Sequence, residues 1–368
     1  MPSPVYFLDI RSRQGAESNL DRMNNLFDAS GMNERINKGD LTAIKVHFGE
    51  PGNDSFLGPV WVRRVVERVR AAGANPFLTD TNVIYLGGRC NAVNHLNTAI
   101  SHGFAYSVVG APIVIADGLK SQDWVFVPVK GRHFSDVKIA SGIAQADSML
   151  VLSHFKGHSI TGFGGAIKNL GMGCAPISGK TEQHSIRPIL YPERCISCGL
   201  CAEVCPRSAI SFDGGPAQID IESCAGCLDC YRICPERAMD INWTEEIRPF
   251  VERMVEYACG ALSEKKDNVG FLNFLIRVCP DCDCNSWSDA PIVGDIGVLA
   301  SADPVAIDQA SYDLVIAESG IEGTCLKRNL APGKDKFKGL WKHTDGLHQV
   351  EYAEEMGLGS RKYRLIRV

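Results

Sequence analysis

The feature that most constrains this chain is a cysteine run that occurs twice. Cys195-x-x-Cys198-x-x-Cys201-x-x-x-Cys205-Pro206 recurs 29 residues later as Cys224-x-x-Cys227-x-x-Cys230-x-x-x-Cys234-Pro235. Three cysteines at steps of three wrap the backbone around a cuboidal inorganic centre and aim its amides at the sulfurs, and the proline forces the chain away after the fourth thiolate. Zinc sites close with four ligands in two pairs, a different grouping from these eight. The chain holds 15 cysteines, an odd and clustered number that argues for metal ligation and against a disulfide framework.

Over these fifty or so residues the sequence resembles the two-cluster bacterial ferredoxins, in which the fourth cysteine of each run ligates the other cluster. The resemblance implies two 4Fe–4S clusters. One would be held by Cys195, Cys198, Cys201 and Cys234, the other by Cys224, Cys227, Cys230 and Cys205. Such clusters pass single electrons at low potential, and two side by side make a wire that needs something at each end: a redox partner protein, and a substrate or second cofactor.

Around this segment the texture is that of strands alternating with helices. Val5–Ile10, Leu41–Phe48, Pro76–Thr79, Ile113–Ala116, Trp124–Val129 and Ser148–Leu152 read as strands. Glu17–Ser30, Pro59–Ala72 and Ala92–Ser101 read as helices. Pro59–Ala72 has proline at its start, one valine face and Gly73 as its stop. After the cysteine runs, helical Glu245–Leu262 and Pro304–Glu318 bracket further strand-like sequence at Ala290–Ala300, and Lys334 onward gives no sharp signal. The expected fold is α/β, a mostly parallel sheet with helices on both faces, interrupted by a small ferredoxin-like insert. The expected boundaries are 1–186 and 244–368 for the two parts of the α/β domain and 187–243 for the module.

A net charge of −5 gives no reason to expect nucleic acid or an anionic membrane as partner. No window reaches the run of apolar residues a membrane span requires, and the N-terminal MPSPVYFLDI has no leader pattern. The expected location is the cytoplasm.

A second candidate site lies in His154-Phe-Lys-Gly-His158, continuing through Lys168-Asn169 to Gly173-Cys174, a Gly-rich stretch that follows the Ser148–Leu152 strand. Ligands in open α/β sheets bind at such carboxyl ends of strands. His154, His158, Lys168, Asn169 and the later His184 are the candidate catalytic residues: lysine and asparagine to bind a carboxylate or phosphate, a histidine to move a proton. His47, Glu50, Asp80 and Asn82 follow neighbouring strands and could reach the same edge. Cys279-Pro-Asp-Cys282-Asp-Cys284 could supply thiolates to a third metal, with Cys174 or Cys325 completing it. Cys90 and Cys259 read as core residues. Gly173 to Thr181 imitates a phosphate-binding loop but has five residues between its glycines where that motif has four. Asp303 before Pro304 fits a helix cap, whereas Asp308 lies inside a helix that reads as buried.

The segments Ile44–Asn53, His154–Cys174, the cysteine runs and Asp303–Asp308 together resemble the iron–sulfur centre proteins of "domain of unknown function 362", a resemblance that covers nearly the whole chain. Gly162-Phe-Gly-Gly165-Ala-Ile-Lys168 is also similar to a stretch of the nickel-pincer lactate racemases. That resemblance would make His158 an acid/base residue, Lys168 a cofactor anchor and His184 a metal ligand. This chain departs from it at Met172-Gly173, where those enzymes have Pro-Gly, and those enzymes carry no ferredoxin insert. The expected function is an iron–sulfur oxidoreductase passing electrons to a site at the Gly-rich edge. The alternatives are a non-catalytic electron carrier with a docking domain and a metal or cofactor assembly protein.

Overall fold

The computed structural model describes residues 2–12, 17–185, 187–205, 207–224, 228–241, 247–265 and 267–368. Its centre is an eight-stranded sheet: β1 (Ser3–Asp9), β2 (Leu41–Lys45), β3 (Asn75–Asp80), β4 (Ile113–Ile115), β5 (Ser148–His154), β6 (Val269–Leu275), β7 (Gly297–Ser301) and β8 (Tyr363–Arg367). In space the order is β8-β1-β7-β6-β5-β2-β3-β4. Strands β6, β5, β2, β3 and β4 run parallel, β8 runs parallel to β1, and β7 alone opposes both its neighbours. The mostly parallel α/β expectation holds.

Both faces of the sheet are buried, which is why its central strands read as continuous apolar runs. Leu150 and Leu152 of β5 point into one core with the helices α1 (Asn19–Ala29) and α2 (Pro59–Ala71). Met149 and Val151 point into the other, against α4 (Ala166–Gly171), α6 (Ile247–Leu262), α7 (Pro304–Ala317) and α8 (His348–Glu355). Two further helices are α3 (Ala92–Ala99) and α5 (Ile177–Gln183). α2 buries Val62, Val65, Val66 and Val69, the face its spacing predicts.

Three differences from the sequence reading have physical reasons. Trp124–Pro128 is a strand but pairs only with Asp136–Ala140 in a separate hairpin, because its exposed Val125 and Phe126 leave it no second buried face. Val269–Leu275, a buried central strand, was not anticipated beside the cysteine cluster that follows it, and β8 lies in the polar C-terminal stretch that gave no signal. Cys90 and Cys259 are half-buried, not core.

Between β5 and its neighbour β6 the chain makes a long excursion that includes the cysteine runs. Pro188–Leu190 and Met239–Ile241 pair antiparallel where the Cys-rich unit leaves and rejoins the rest. Within it the sequence repeat is also a conformational repeat. The short helices Leu200–Glu203 and Asp229–Ile233 correspond, as do the strands beginning at Ile210 and Met239. Left-handed backbone recurs at Gly199 and Leu228 and again at Ser208 and Arg237. Even the amide–sulfur bonds repeat: Ala209 N donates to Cys205 Sγ and Ala238 N to Cys234 Sγ, both at 3.2 Å. Among the described residues no helix is long and apolar enough to cross a membrane.

Candidate functional site

A cavity of about 590 Å³ opens where β2, β3, β5 and β6 end. All four strands run the same way, so the loops that follow them converge there, as the rule for open α/β sheets predicts.

The floor is set by α4. Asp308 of α7 accepts from Ala166 N (2.7 Å) and Ile167 N (2.9 Å), and Asn273 Nδ2 donates to it at 2.7 Å. The carboxyl thus caps a helix 142 residues away in sequence. Burial raises its pKa to about 6. A side chain at Gly165 would meet this carboxylate at 2.3 Å, which accounts for one glycine of the Gly-rich stretch. So fixed, α4 presents Lys168 and Asn169 to the cavity. Asn169 Nδ2 donates to Leu152 O and Ser153 Oγ, while its Oδ1 accepts from Lys45 Nζ at 2.7 Å. Asn169 is therefore fully engaged in positioning Lys45.

Lys168 Nζ reaches Cys282 Sγ at 3.6 Å. His158 faces the same sulfur: its Nδ1 accepts from the amides of Ile160 (3.2 Å) and Thr161 (3.1 Å), so the neutral ring carries its proton on Nε2. Burial and the charge of Lys168 hold the His158 pKa down at about 4. The neighbouring Cys284, with Lys168 and His158 and against burial, holds the Cys282 pKa well below that of an ordinary thiol, while that of Cys284 is pushed up. A cation 3.6 Å from the sulfur is the setting that favours a thiolate.

Asp283, between the two cysteines in sequence, is wholly buried. It accepts from His154 Nδ1 and Lys156 Nζ, each at 3.0 Å, and from Ser55 Oγ at 3.3 Å. His154 Nε2 meets the carbonyls of Ile276 and Arg277 at 3.1 and 3.0 Å, so both its ring nitrogens are committed. His154 is thus an anchor for the Cys282–Cys284 loop. The far wall is a buried charge network. Lys45 pairs with Asp80 at 2.9 Å, and Arg89 donates to Glu50 at 2.8 Å and to Tyr85 at 2.7 Å. His47 Nε2 lies 3.1 Å from Arg89, and burial and that charge lower its pKa to about 3.

Several candidates do not join the group. Cys174 lies in the main core, its pKa raised to about 11 by burial, and Cys279 is buried beneath the loop with its thiol likewise raised to about 11. Cys325 packs partly buried against that core. Among the described residues no three His, Cys, Asp or Glu side chains converge as a bound ion requires. His184 lines the cavity from the end of α5, its ring 4.4 Å from that of Phe250. Asn82 is held by Asp117. Lys180, the lysine of the false phosphate loop, donates to Thr81, Asn82 O and Ala175 O. The sequence reading missed Lys45, Tyr85, Arg89, Lys156 and Asp283. Lys45 was detectable as a lone charge inside an apolar strand; Arg89 sits in a loop without pattern.

In the Cys-rich unit, Cys195, Cys198, Cys201 and Cys234 line one small cavity with Leu190 and Met239. These are the four thiols that the crossed pairing groups together. Cys201 and Cys230 are buried in a small apolar core, whereas Cys198 is exposed. Cys227 and Pro206 lie outside the described residues. The unit packs through its second run against Ile84, a residue of the large cavity's wall. Leu228 is buried against Ile84 with Tyr231 beside them, and Arg232 Nη2 donates to Ile84 O at 2.9 Å. Ile84 itself lines the cavity.

A family model described as "Domain of unknown function (DUF362)" matches residues 42–313, from β2 into α7. No curated protein matches the chain. Among solved structures, the lactate racemase apoprotein from Thermoanaerobacterium thermosaccharolyticum is similar with 12% identity and a TM-score of 0.38. The match covers 74% of this chain and 51% of that one, so this chain spans about half the length of that protein.

Proposed function

The chain belongs to the DUF362 family, and on that premise we propose that it is an iron–sulfur oxidoreductase whose reaction takes place in the cavity around Cys282, His158 and Lys168. Features of the Cys-rich unit support the reading for the first of the two clusters, which Cys195, Cys198, Cys201 and Cys234 would hold. Four thiols share one cavity, backbone amides point at Cys205 and Cys234, and an apolar shell limits water. Bound there, the clusters would supply single-electron transfer at low potential.

The observation that carries the reading is the contact of Leu228 with Ile84, which seats the second cysteine run against the wall of the cavity. Exposed Cys198, with Ile196 (62% exposed) two residues before it, would offer the first run to a redox partner protein. In the cavity, Lys168 would attract an anionic group and His158 Nε2 would hold a proton near the reacting atom. A pure electron carrier or an assembly protein has no use for this arrangement.

Electron paramagnetic resonance of anaerobically reduced, full-length protein tests the proposal. The expected result is a spectrum of two interacting reduced clusters, with the Cys224→Ser and Cys195→Ser variants each disturbing a different one. A reduced protein without cluster signals would overturn it.

A further inference from the structure

We infer that Cys282 and Cys284 form a thiol–disulfide exchange pair, with Cys282 as the attacking sulfur and Cys284 as the resolving one. Both line the large cavity, so a small disulfide can reach them without unfolding. The two cysteines are one residue apart on one wall of the cavity, and the residue between them is clamped by His154, Lys156 and Ser55. The asymmetry is built in: Lys168 lies 3.6 Å from Cys282, and His158, whose Nε2 carries the proton, lines the same cavity. Cys282 is held as the thiolate, the nucleophilic form, and Cys284 as the thiol.

The exchange balances without any other redox group. The Cys282 thiolate attacks one sulfur of a low-molecular-weight disulfide R–S–S–R; the S–S bond breaks and RS⁻ leaves. Cys284 gives its proton to that leaving thiolate and attacks Cys282 sulfur, closing the intramolecular disulfide and releasing a second RS⁻, which takes a proton from water. Two thiols are oxidised and one external disulfide is reduced. Run backwards, the pair accepts two electrons, and this rests on the proposed electron-transfer reading only for where those electrons come from. The other buried thiols, Cys174 and Cys279, lack this activation, since burial raises both.

The test is incubation of the full-length protein with glutathione disulfide under anaerobic conditions, followed by alkylation and peptide mapping. The expected product is a peptide in which Cys282 and Cys284 have together lost two hydrogens. Cys284→Ser should stop at glutathione on Cys282, and Cys282→Ser should leave Cys284 unreacted. At a pH below the Cys282 pKa, Lys168→Met should slow the reaction there by about tenfold, the loss of thiolate that a rise of about one pKa unit brings, with Lys168→Arg restoring most of it; this arm is informative even where a cysteine variant fails to fold. Cys282 reacting no faster than Cys174, or a disulfide between other cysteines, would overturn the inference. Iron and sulfide measured on the same sample separate the two claims. Exchange without clusters sinks the electron-transfer reading alone; intact clusters without exchange sink this one alone.

Discussion

At the scale of single residues, the cavity depends on charges that are buried in pairs. Lys45 and Asp80 are almost wholly removed from solvent. Breaking such a pair leaves an uncompensated buried charge, so Lys45→Met should cost about 3–5 kcal/mol, measured by urea unfolding. The acid response follows from the shifts. Burial pushes Asp80 and Asp283 up, but Lys45 and His47 around the first, and His154 and Lys156 around the second, leave both below the usual carboxylate range. Their stabilisation is fully present above an ordinary aspartate pKa of about 3.9 and is lost as pH falls through their lowered values. Asp308 has the opposite sign. With its pKa raised to about 6, the fold gains stability from it as pH falls from 6 toward about 4. Cys282, being depressed, should keep its reactivity as pH drops below the range where ordinary thiols protonate; a pH profile of alkylation at that residue checks this. The residue types on the Gly-rich stretch were legible in the sequence. Their partners were not, because Asp283 and Cys282 reach His154 and Lys168 from more than a hundred residues away.

At the scale of elements, a helix of six residues carries Lys168 and owes its start to a side chain from another helix. Asp308→Ala would strand two amides and Asn273, and should destabilise the protein by about 1–3 kcal/mol. It should also slow alkylation of Cys282, since Lys168 would no longer be held. Asp303 and Asp308 show what sequence can and cannot tell about caps. Asp303 bonds Val305 N and Ala306 N within its own helix, and the Asp-Pro pattern announced it. Asp308 does the same work across the fold, so local pattern marked it only as an oddly buried acid. Strand β6 was hidden for a related reason: its register is set by β5 and β7 on either side, and no turn signal in its own sequence marks it.

At the scale of the molecule, a small Cys-rich unit is seated against the wall of a larger cavity. The seat is Leu228 on Ile84 with the Arg232 bond beside it. Leu228→Asp would bury a charge there, and should loosen the unit, seen as faster proteolysis in residues 187–243 while the rest stays resistant. The eight-cysteine repeat made the unit visible in sequence, but not which run faces the cavity, because that depends on a contact with a loop lacking any motif. The most direct test of the central claim is iron and acid-labile sulfide analysis of protein purified without oxygen, with nickel and zinc measured alongside. The account predicts about eight iron and eight sulfide per chain, the content of two 4Fe–4S clusters, and about half of each after replacing Cys195, Cys198 and Cys201 together. Intact protein with far less iron, or with zinc in its place, would contradict it.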